Sequence, residues 1–323
     1  MVLAQSLFKT IKARQPDAVI DVAAPGWTLP LLERMPEVHK AIALPFKHGE
    51  LGLRSRIRVG RQLKDRHYSQ AILLTNSLKS AILPFAASIP QRTGFRGELR
   101  YGLLNDIRPL DKARLPRTVD RFVALGLDQD APLPADTPLP SLRADQLNAE
   151  QTLHRLGWAM PQTPVLGLCP GAEYGEAKRW PTEYYAEVAN AALDKGWQVW
   201  LFGSAKDMPV TGAIDKLTQH RCLDLGGKTS LGEAIDLMAL TTTVVSNDSG
   251  LMHVAAALDK KVIAIYGSSD PGHTPPMSAR AIVLYLGLDC SPCFKRECPL
   301  GHLKCLKEIR PHLVIDSINS RTR

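Results

Sequence analysis

The sequence predicts an α/β protein of two domains with parallel sheets, and three observations support this fold class. Short apolar segments alternate with helical patterns over most of the 323 residues, as is typical of parallel βαβ units. The length is sufficient for two domains that each bury a core. Residues 131–140 contain four prolines, which exclude a helix interior or a central strand, so they are predicted to form a linker.

The first domain is predicted to open on a helix. Leu3, Leu7 and Ile11 recur at four-residue spacing with basic residues between them, which indicates an amphipathic helix rather than a signal peptide. A doubly wound domain usually opens on its central strand, and a missing first strand would leave unpaired backbone groups beside a gap in the sheet. The remaining predictions are strands at 19–23, 41–44 and 71–74, and helices at 54–66 and 79–87.

The second domain repeats the alternation more regularly. It is predicted to contain helices at 142–156, 182–194, 208–219, 231–240 and 249–258, and strands at 165–169, 198–202, 222–225, 244–246 and 262–266. Parallel sheets with helices on both faces bind ligands at the carboxyl ends of their strands. We therefore expect the polar loops that follow these strands to form one site.

Composition narrows the class of partner. Apolar residues make up 45% and charged residues 22%, which argues against wholesale disorder, and no apolar run approaches the ~18 residues of a membrane span. The formal net charge of +8 favours an anionic partner: nucleic acid, a nucleotide or an acidic membrane surface. A solvated helix face remains an alternative for the first basic cluster, and no recognised nucleic-acid motif is present. The basic clusters are Arg54, Arg56, Arg58, Arg61, Lys64 and Arg66, then Arg92, Arg96 and Arg100.

The strongest motif runs from Ser246 to His253. A predicted strand ends at Ser246, and a turn through Asp248, Ser249 and Gly250 leads into a helix. Small and polar residues at such a turn leave helix-start amides free for a phosphate. The alternative is an ordinary helix start, capped by Asp248 or Ser249, with a half-buried histidine one turn later.

Three further polar loops follow predicted strands. Residues 170–181 contain Gly171, which permits close backbone approach, and Lys178 and Arg179, whose charges suit a phosphate; an ordinary basic surface loop is the alternative. Residues 202–207 and 226–231 do not fit the phosphate-binding pattern G-x-x-x-x-G-K-[ST]. Four such loops at one edge of a sheet nevertheless predict a nucleotide site.

Two of these segments, S-N-D-S-G-L-M-H-V-A-A-A-L and P-G-A-E-Y-G-E-A-K-R-W-P, together resemble the donor site of the bacterial lipopolysaccharide heptosyltransferases. The resemblance covers nearly the whole chain. It implies the GT-B architecture, in which two Rossmann-like domains with parallel sheets face a cleft. Residues 1–140 would be the acceptor-side domain, 141–307 the ADP-sugar domain, and 308–323 a helix that crosses back to the first domain.

The function implied by the resemblance is inverting transfer of L-glycero-D-manno-heptose from ADP-L-glycero-D-manno-heptose to the first heptose of the lipopolysaccharide inner core. No cofactor is expected, and a role for a divalent ion stays open. The acceptor would be lipid A–Kdo–heptose, and the protein would be cytoplasmic, in peripheral contact with the inner membrane and without a nucleic-acid partner. The alternatives are a non-catalytic protein that binds ADP-sugar or nucleotide, and a sister heptosyltransferase with a different acceptor.

The resemblance also implies residue roles. Lys178 would contact a phosphate beside Gly171. The diphosphate and sugar would be surrounded by Asp248, Ser249, Gly250, Leu251 and His253, and the ribose and adenine by Asp207, Thr229 and Ser230. Similar proteins carry a strand and a Gly-Asp loop before the point where this chain starts, so the family's catalytic aspartate would precede Met1 and this chain would lack it. Asp21, Asp65 and His67 are more plausible as structural or exposed residues than as replacements for that base.

Four of the six cysteines cluster near the C-terminus. Cys290, Cys293, Cys298 and Cys305 are separated by two, four and six residues, with His302 between the last two. Three interpretations stay open: a structural zinc site, free thiols or a redox pair. Cys169 and Cys222 fall in predicted strands and are expected in the core.

Overall fold

The structure is a computed structural model that describes residues 1–46 and 49–320. The chain divides into two compact units, one from Leu3 to Pro138 and one that begins at Leu139. The helices of the first unit are α1 (Gln5–Arg14), α2 (Leu29–Leu32), α3 (Leu53–Leu63), α4 (Leu78–Ala86) and α5 (Thr118–Leu125). Its strands are β1 (Ile20–Pro25), β2 (Val38–Leu44), β3 (Gln70–Leu73), β4 (Gln91–Phe95) and β5 (Asp106–Arg108).

The strands of the first unit form two parallel sheets. β1 pairs with β2, and the second sheet has the order β3-β4-β5. Within the described ranges, β1 pairs with β2 alone and β3 with β4 alone, so each has one edge without a partner strand. β4 was not predicted, because its sequence Q-R-T-G-F has no apolar run; the fully buried Thr93 lies in its middle. β5 and α5 were also missed.

The second unit continues the numbering. Its helices are α6 (Gln146–Arg155), α7 (Thr182–Leu193), α8 (Met208–Leu217), α9 (Leu231–Met238), α10 (Gly250–Ala257), α11 (Lys304–Lys307) and α12 (Pro311–Asn319). Its strands are β6 (Val165–Cys169), β7 (Gln198–Leu201), β8 (Leu223–Asp224), β9 (Thr243–Asn247), β10 (Lys261–Ile265) and β11 (Ala281–Leu284). The bounds of the predicted elements shift by a few residues, and β11 and α11 were not predicted.

The sheet of the second unit is parallel throughout, with the strand order β11-β10-β9-β6-β7-β8. The chain adds β7 and β8 on one side of β6 and then returns to add β9 and β10 on the other. The order therefore reverses between β6 and β9, and this reversal is the point at which open α/β sheets bind ligands. The predicted α/β class with parallel sheets is confirmed.

The core of the second unit explains why its strands are apolar runs. Every residue of β6, β9 and β10 is buried, as expected for strands covered on both faces. On one face, the fully buried rings of Trp180 and Tyr185 pack edge to face, with centroids 5.0 Å apart. α12 joins this core through Val314 and packs against α7 and β10 of its own unit. The predicted crossing to the first domain stays a prediction.

Over residues 1–46 and 49–320, no helix combines the length and the apolar character that crossing a bilayer requires.

Candidate functional site

The loops after β6 and β9 meet at the reversal of strand order in the second unit. The first of these loops carries Lys178 and the second carries Asp248. Lys178 Nζ lies 2.5 Å from Asp248 Oδ2, and the two side chains are only 19% and 6% exposed. A lysine and a carboxylate 70 positions apart in the chain therefore form a shielded ion pair at the edge where the sequence predicted an anion site.

Asn247 holds these two loops in place. It is completely buried at the end of β9, and its side-chain Nδ2 donates to the carbonyl of Pro170 at 2.7 Å. Its Oδ1 accepts from the backbone N–H of Trp180 at 3.1 Å and from the hydroxyl of Tyr185 at 3.0 Å. One amide side chain thus satisfies donors and acceptors from the loop that carries Lys178 and from the start of α7. Asn247 was not predicted to be a site residue, although it lies inside the strongest sequence motif.

The start of α10 is left open. Ser249 is its N-cap residue with extended backbone, but among the described residues its side chain makes no capping hydrogen bond; its Oγ lies 3.2 Å from Ser246 Oγ. A Cβ built on Gly250 would meet no described atom within 4 Å. The capped-helix alternative is therefore not what the structure shows, since Asp248 pairs with Lys178 and Ser249 faces Ser246. The first amides of α10 lie at the positive end of the helix dipole, beside the open space at Gly250.

His253 lies one turn into α10. Burial lowers the pKa of its imidazole to about 4, although the Asp248 carboxylate acts in the opposite direction. Its Nδ1 is shielded from solvent and has no hydrogen-bond partner among the described residues. The ring is therefore neutral near pH 7.

Gly171 and Asp207 are also brought together. A Cβ on Gly171 would lie 2.4 Å from Asp207 Oδ1, so only glycine lets the two loops approach this closely. Asp207 Oδ2 accepts hydrogen bonds from the backbone N–H and the hydroxyl of Ser204, at 2.9 and 2.7 Å. Asp207 is thus fixed in position beside the glycine that the sequence placed in the donor site.

The loop that carries Thr229 and Ser230 reaches the same edge of the sheet. The Gly227 amide donates to the carbonyl of Gly203 at 3.0 Å, which ties this loop to the one after β7. Ser230 caps α9: its N–H donates to Glu233 Oε2 at 2.7 Å, and its Oγ accepts from the Glu233 N–H at 3.3 Å. The Ser230 hydroxyl is therefore engaged in a helix cap. The donor-lining roles of Thr229, Ser230 and the half-buried Leu251 stay predictions.

Two serines at this edge were missed. Ser268 and Ser269 follow β10, both are buried, and among the described residues their hydroxyls have no partner. The Ser268 amide donates to the carbonyl of Ala177 at 3.2 Å, directly beside Lys178. The signal that was available is the G-S-S-D sequence directly after a buried strand, which resembles the other loops at this edge.

Of the three residues of the first unit considered as a base, Asp21 has a structural role and the other two are exposed. Asp21 accepts a hydrogen bond from the Tyr68 hydroxyl at 2.5 Å and lies 2.9 Å from His39 Nδ1, so its carboxylate is already engaged. Burial, reinforced by this bond, raises the pKa of Tyr68 to about 12. Asp65 and His67 are exposed.

The basic clusters of the first unit are divided between buried and exposed residues. Arg56 is buried, stacks on Phe46 and donates to the carbonyl of Leu51, and Arg100 is buried against the carbonyls of Thr75 and Phe95. Arg92 bonds the carbonyls of Leu103 and Ile89. The exposed basic residues are Arg54, Arg58, Arg61, Lys64, Arg66 and Arg96.

Comparison with known proteins decides the family. The model of glycosyltransferase family 9 (heptosyltransferase) matches residues 56–304, which is more than half of the chain.

The chain belongs to glycosyltransferase family 9.

Its relatives in family 9 cover almost its whole length. It is 44% identical to lipopolysaccharide heptosyltransferase 2 of Escherichia coli K12, over 99% of this chain and 94% of that protein. It is 42% identical to lipooligosaccharide heptosyltransferase 2 of Haemophilus influenzae, over 99% and 95%. The solved structure of E. coli ADP-heptose lps heptosyltransferase II superposes with a TM-score of 0.88, at 41% identity, over 99% of this chain and 94% of that one. The predicted family and its class of enzyme, a glycosyltransferase, are therefore confirmed.

The cysteine cluster of this family 9 chain lies beside the loop that carries Lys178. Cys290, Cys293, Cys298 and Cys305 line one small cavity together with His302, and all are free thiols. Over residues 1–46 and 49–320, no three His, Cys, Asp or Glu side chains are arranged to hold a metal ion. The zinc interpretation stays a prediction without support from this arrangement.

Proposed function

We propose that the chain transfers L-glycero-D-manno-heptose from the ADP-heptose donor to the first heptose of the lipopolysaccharide inner core. Its family 9 relatives are named heptosyltransferase 2 and match it over almost their whole length, which supports this donor and acceptor. The shielded pair of Lys178 and Asp248 beside the open start of α10 is the observation that carries the donor half of the proposal. The same site, without turnover, would serve a protein that only binds the nucleotide.

The donor diphosphate would bind where charge is already arranged for it. Without a donor, Asp248 neutralises Lys178; a diphosphate would offer the ammonium group further oxygens and would also accept from the first amides of α10. Each charge-assisted hydrogen bond contributes about 1.5–3 kcal/mol. Gly250 leaves room for a phosphate, and the neutral His253 would bond a phosphate or sugar oxygen without adding charge.

The chemical step is a direct displacement. The acceptor hydroxyl oxygen attacks the anomeric carbon from the face opposite ADP, the bond from that carbon to the diphosphate oxygen breaks, and the configuration inverts. Negative charge grows on the departing diphosphate, so Lys178 and the α10 amides would stabilise the transition state more than the ground state. We propose no residue of this chain as the base that removes the hydroxyl proton.

Calorimetric titration with ADP tests the donor half. We expect Lys178→Ala to weaken ADP binding by roughly 10- to 100-fold, because one charge-assisted bond is lost. Lys178→Arg should lose less, since the charge is kept. Lys216→Ala is the matched control, because this exposed lysine lies in the last turn of α8. Unchanged affinity of Lys178→Ala would remove the proposed site, and tight ADP binding without heptose transfer by mass spectrometry would favour the binding-protein alternative.

For the acceptor half, we propose that the exposed arginines of α3 bind the acidic sugars of lipid A–Kdo–heptose at the membrane surface. Arg54, Arg58 and Arg61 line an open groove of about 590 Å³. Their shared sign and exposure favour an anionic partner. Peripheral contact with the cytoplasmic face of the inner membrane, and hence a cytoplasmic location, are part of this proposal.

A further inference from the structure

The four clustered cysteines line one small cavity. Cys290, Cys293, Cys298 and Cys305, which we call the thiol cluster, line a cavity of about 20 Å³ that would hold about one water molecule. The other three thiols are close enough to Cys305 to act on it electrostatically. Cys290, Cys293 and Cys298 lie between β11 and α11, where no helix or strand is found among the described residues, and Cys305 lies in α11.

Cys298 differs from the other thiols of the cluster. The backbone amide of Leu303 donates to its sulfur, and the amides of Leu300, His302 and Gly301 add to this. These donors stabilise the thiolate and lower the pKa of Cys298. Burial has the opposite effect on Cys305, whose pKa is raised, and the other three thiols of the cluster add to that rise. An activated sulfur and a less acidic one thus line the same cavity.

The segment that carries the cluster is bonded to the loop of Lys178. The backbone N–H of Ala177 donates to the carbonyl of Arg296 at 3.0 Å, and the Tyr174 hydroxyl donates to the carbonyl of Phe294 at 2.7 Å. The Phe294 amide donates to the carbonyl of Ser268 at 2.7 Å. Gly175 has no space for a Cβ against Arg296, so the two segments are closely packed as well as hydrogen-bonded, and we expect a shift of the cysteine segment to move this loop.

We propose that the thiol cluster is a peroxide-sensitive modification site, in which Cys298 takes up the oxidant and a neighbouring thiol of the cluster closes a disulfide. The Cys298 sulfur attacks one oxygen of hydrogen peroxide, the O–O bond breaks, and with one proton a water leaves behind a sulfenic acid. The second thiol attacks this sulfur; an S–S bond forms, the S–O bond breaks, and the hydroxide leaves with the thiol proton as a second water. Two electrons pass from the thiols to the peroxide, and a dithiol reverses the change.

The first experiment measures oxidation without any nucleotide. The reduced full chain is titrated with hydrogen peroxide, free thiols are alkylated, and disulfides are mapped by peptide mass spectrometry. We expect one disulfide that contains Cys298 and is lost on reduction. Cys298→Ser should form a disulfide at least about tenfold more slowly, whereas Cys222→Ser should match the unaltered chain. Cys222 is the control because it is buried outside the cluster, beside Thr218, and its pKa is raised to about 11.

A measurement on the unaltered chain guards against a misfolded variant. Alkylation of each cysteine by iodoacetamide is followed against pH, and Cys298 should react fastest near pH 7. Equal rates for Cys298 and Cys222, or equally fast oxidation of Cys298→Ser, would overturn the proposal. So would a purified protein with one equivalent of zinc that protects all four thiols until a chelator is added.

A consequence for donor binding rests on the proposed function. A disulfide that moves the cysteine segment should move the Lys178 loop, so the oxidised chain should bind ADP about tenfold more weakly than the reduced chain. Equal affinity of the two forms would overturn this coupling. Because the disulfide is mapped without nucleotide, a chain that never binds ADP would contradict the proposed function and leave the oxidation result standing.

Discussion

At the scale of single residues, the contact between Gly171 and Asp207 is a close constraint on the candidate site. In Gly171→Ala the new Cβ would lie 2.4 Å from Asp207 Oδ1, so either the Asp207 carboxylate, which is bonded to Ser204, or the loop of Lys178 must shift. We expect roughly tenfold weaker ADP binding and a loss of stability of about 1–3 kcal/mol, measured by calorimetric titration and chemical denaturation. Gly212→Ala is the control: no described atom lies within 4 Å of its Cβ position, and it is inside α8. A Gly171→Ala variant indistinguishable from this control would show that the close approach has no importance.

His253 makes a prediction about pH at the same scale. Its pKa is lowered from 6.5 to about 4 in the folded protein, so the unfolded chain binds more protons between these values. Folding stability should therefore rise with pH through this window and fall as the pH drops from 7 to 5, by about 2 kcal/mol from this residue. His253→Gln has no proton to gain, so denaturation at the two pH values should show a smaller loss. An equal loss in both proteins would mean that His253 is already protonated or well solvated.

At the scale of elements, α3 separates structural from exposed arginines. Arg56 faces inward against Phe46, while Arg58 and Arg61 line the groove. Reversing both groove charges, in Arg58→Glu with Arg61→Glu, should raise the KM for the acceptor about tenfold or more, since each basic residue near an anionic surface contributes about 1 kcal/mol. The KM for ADP-heptose should stay unchanged. Lys112→Glu, at another exposed basic position of the same unit, is the control. An equal rise in the acceptor KM of this variant would show that net charge alone explains the effect.

The elements also show how far the sequence was informative. The strands of the second unit were predictable because continuous apolar runs such as β6 and β10 are what a sheet buried on both faces requires. The convergence of the loops followed from parallel strand direction alone. β4 was not predictable, because backbone pairing with β3 and β5, rather than an apolar run, places Thr93 in the interior.

Within the site, the pairing of Lys178 with Asp248 and the three bonds of Asn247 depend on tertiary approach between segments that are 62 to 77 residues apart. No local pattern encodes such a distance. The spacing of the four cysteines could be read from the sequence. Their shared cavity, and the hydrogen bonds between the cysteine segment and the Lys178 loop, could not. Sequence patterns therefore located the site, and only the fold showed how its residues are held.

At the scale of the whole molecule, the two units differ in how their strands are buried. Every residue of β6, β9 and β10 is buried, whereas β1 has one buried residue of six and β2 has none of seven. Amide hydrogens open to exchange at a free energy that follows burial and local packing. The exposed strands of the first unit should therefore open at a smaller free energy than the central strands of the second.

Hydrogen exchange followed by mass spectrometry checks this difference on the full chain. Peptides from β1 and β2 should exchange on a timescale at least about 100-fold shorter than peptides from β6, β9 and β10, which corresponds to a gap of about 3 kcal/mol in opening free energy. ADP at about 100 times its Kd should add about 2.7 kcal/mol to the unit that binds it, so protection should increase in the second unit and not in β1 or β2. Uniform exchange over both units would show that they open together, and added protection in β1 alone would place the nucleotide in the other unit.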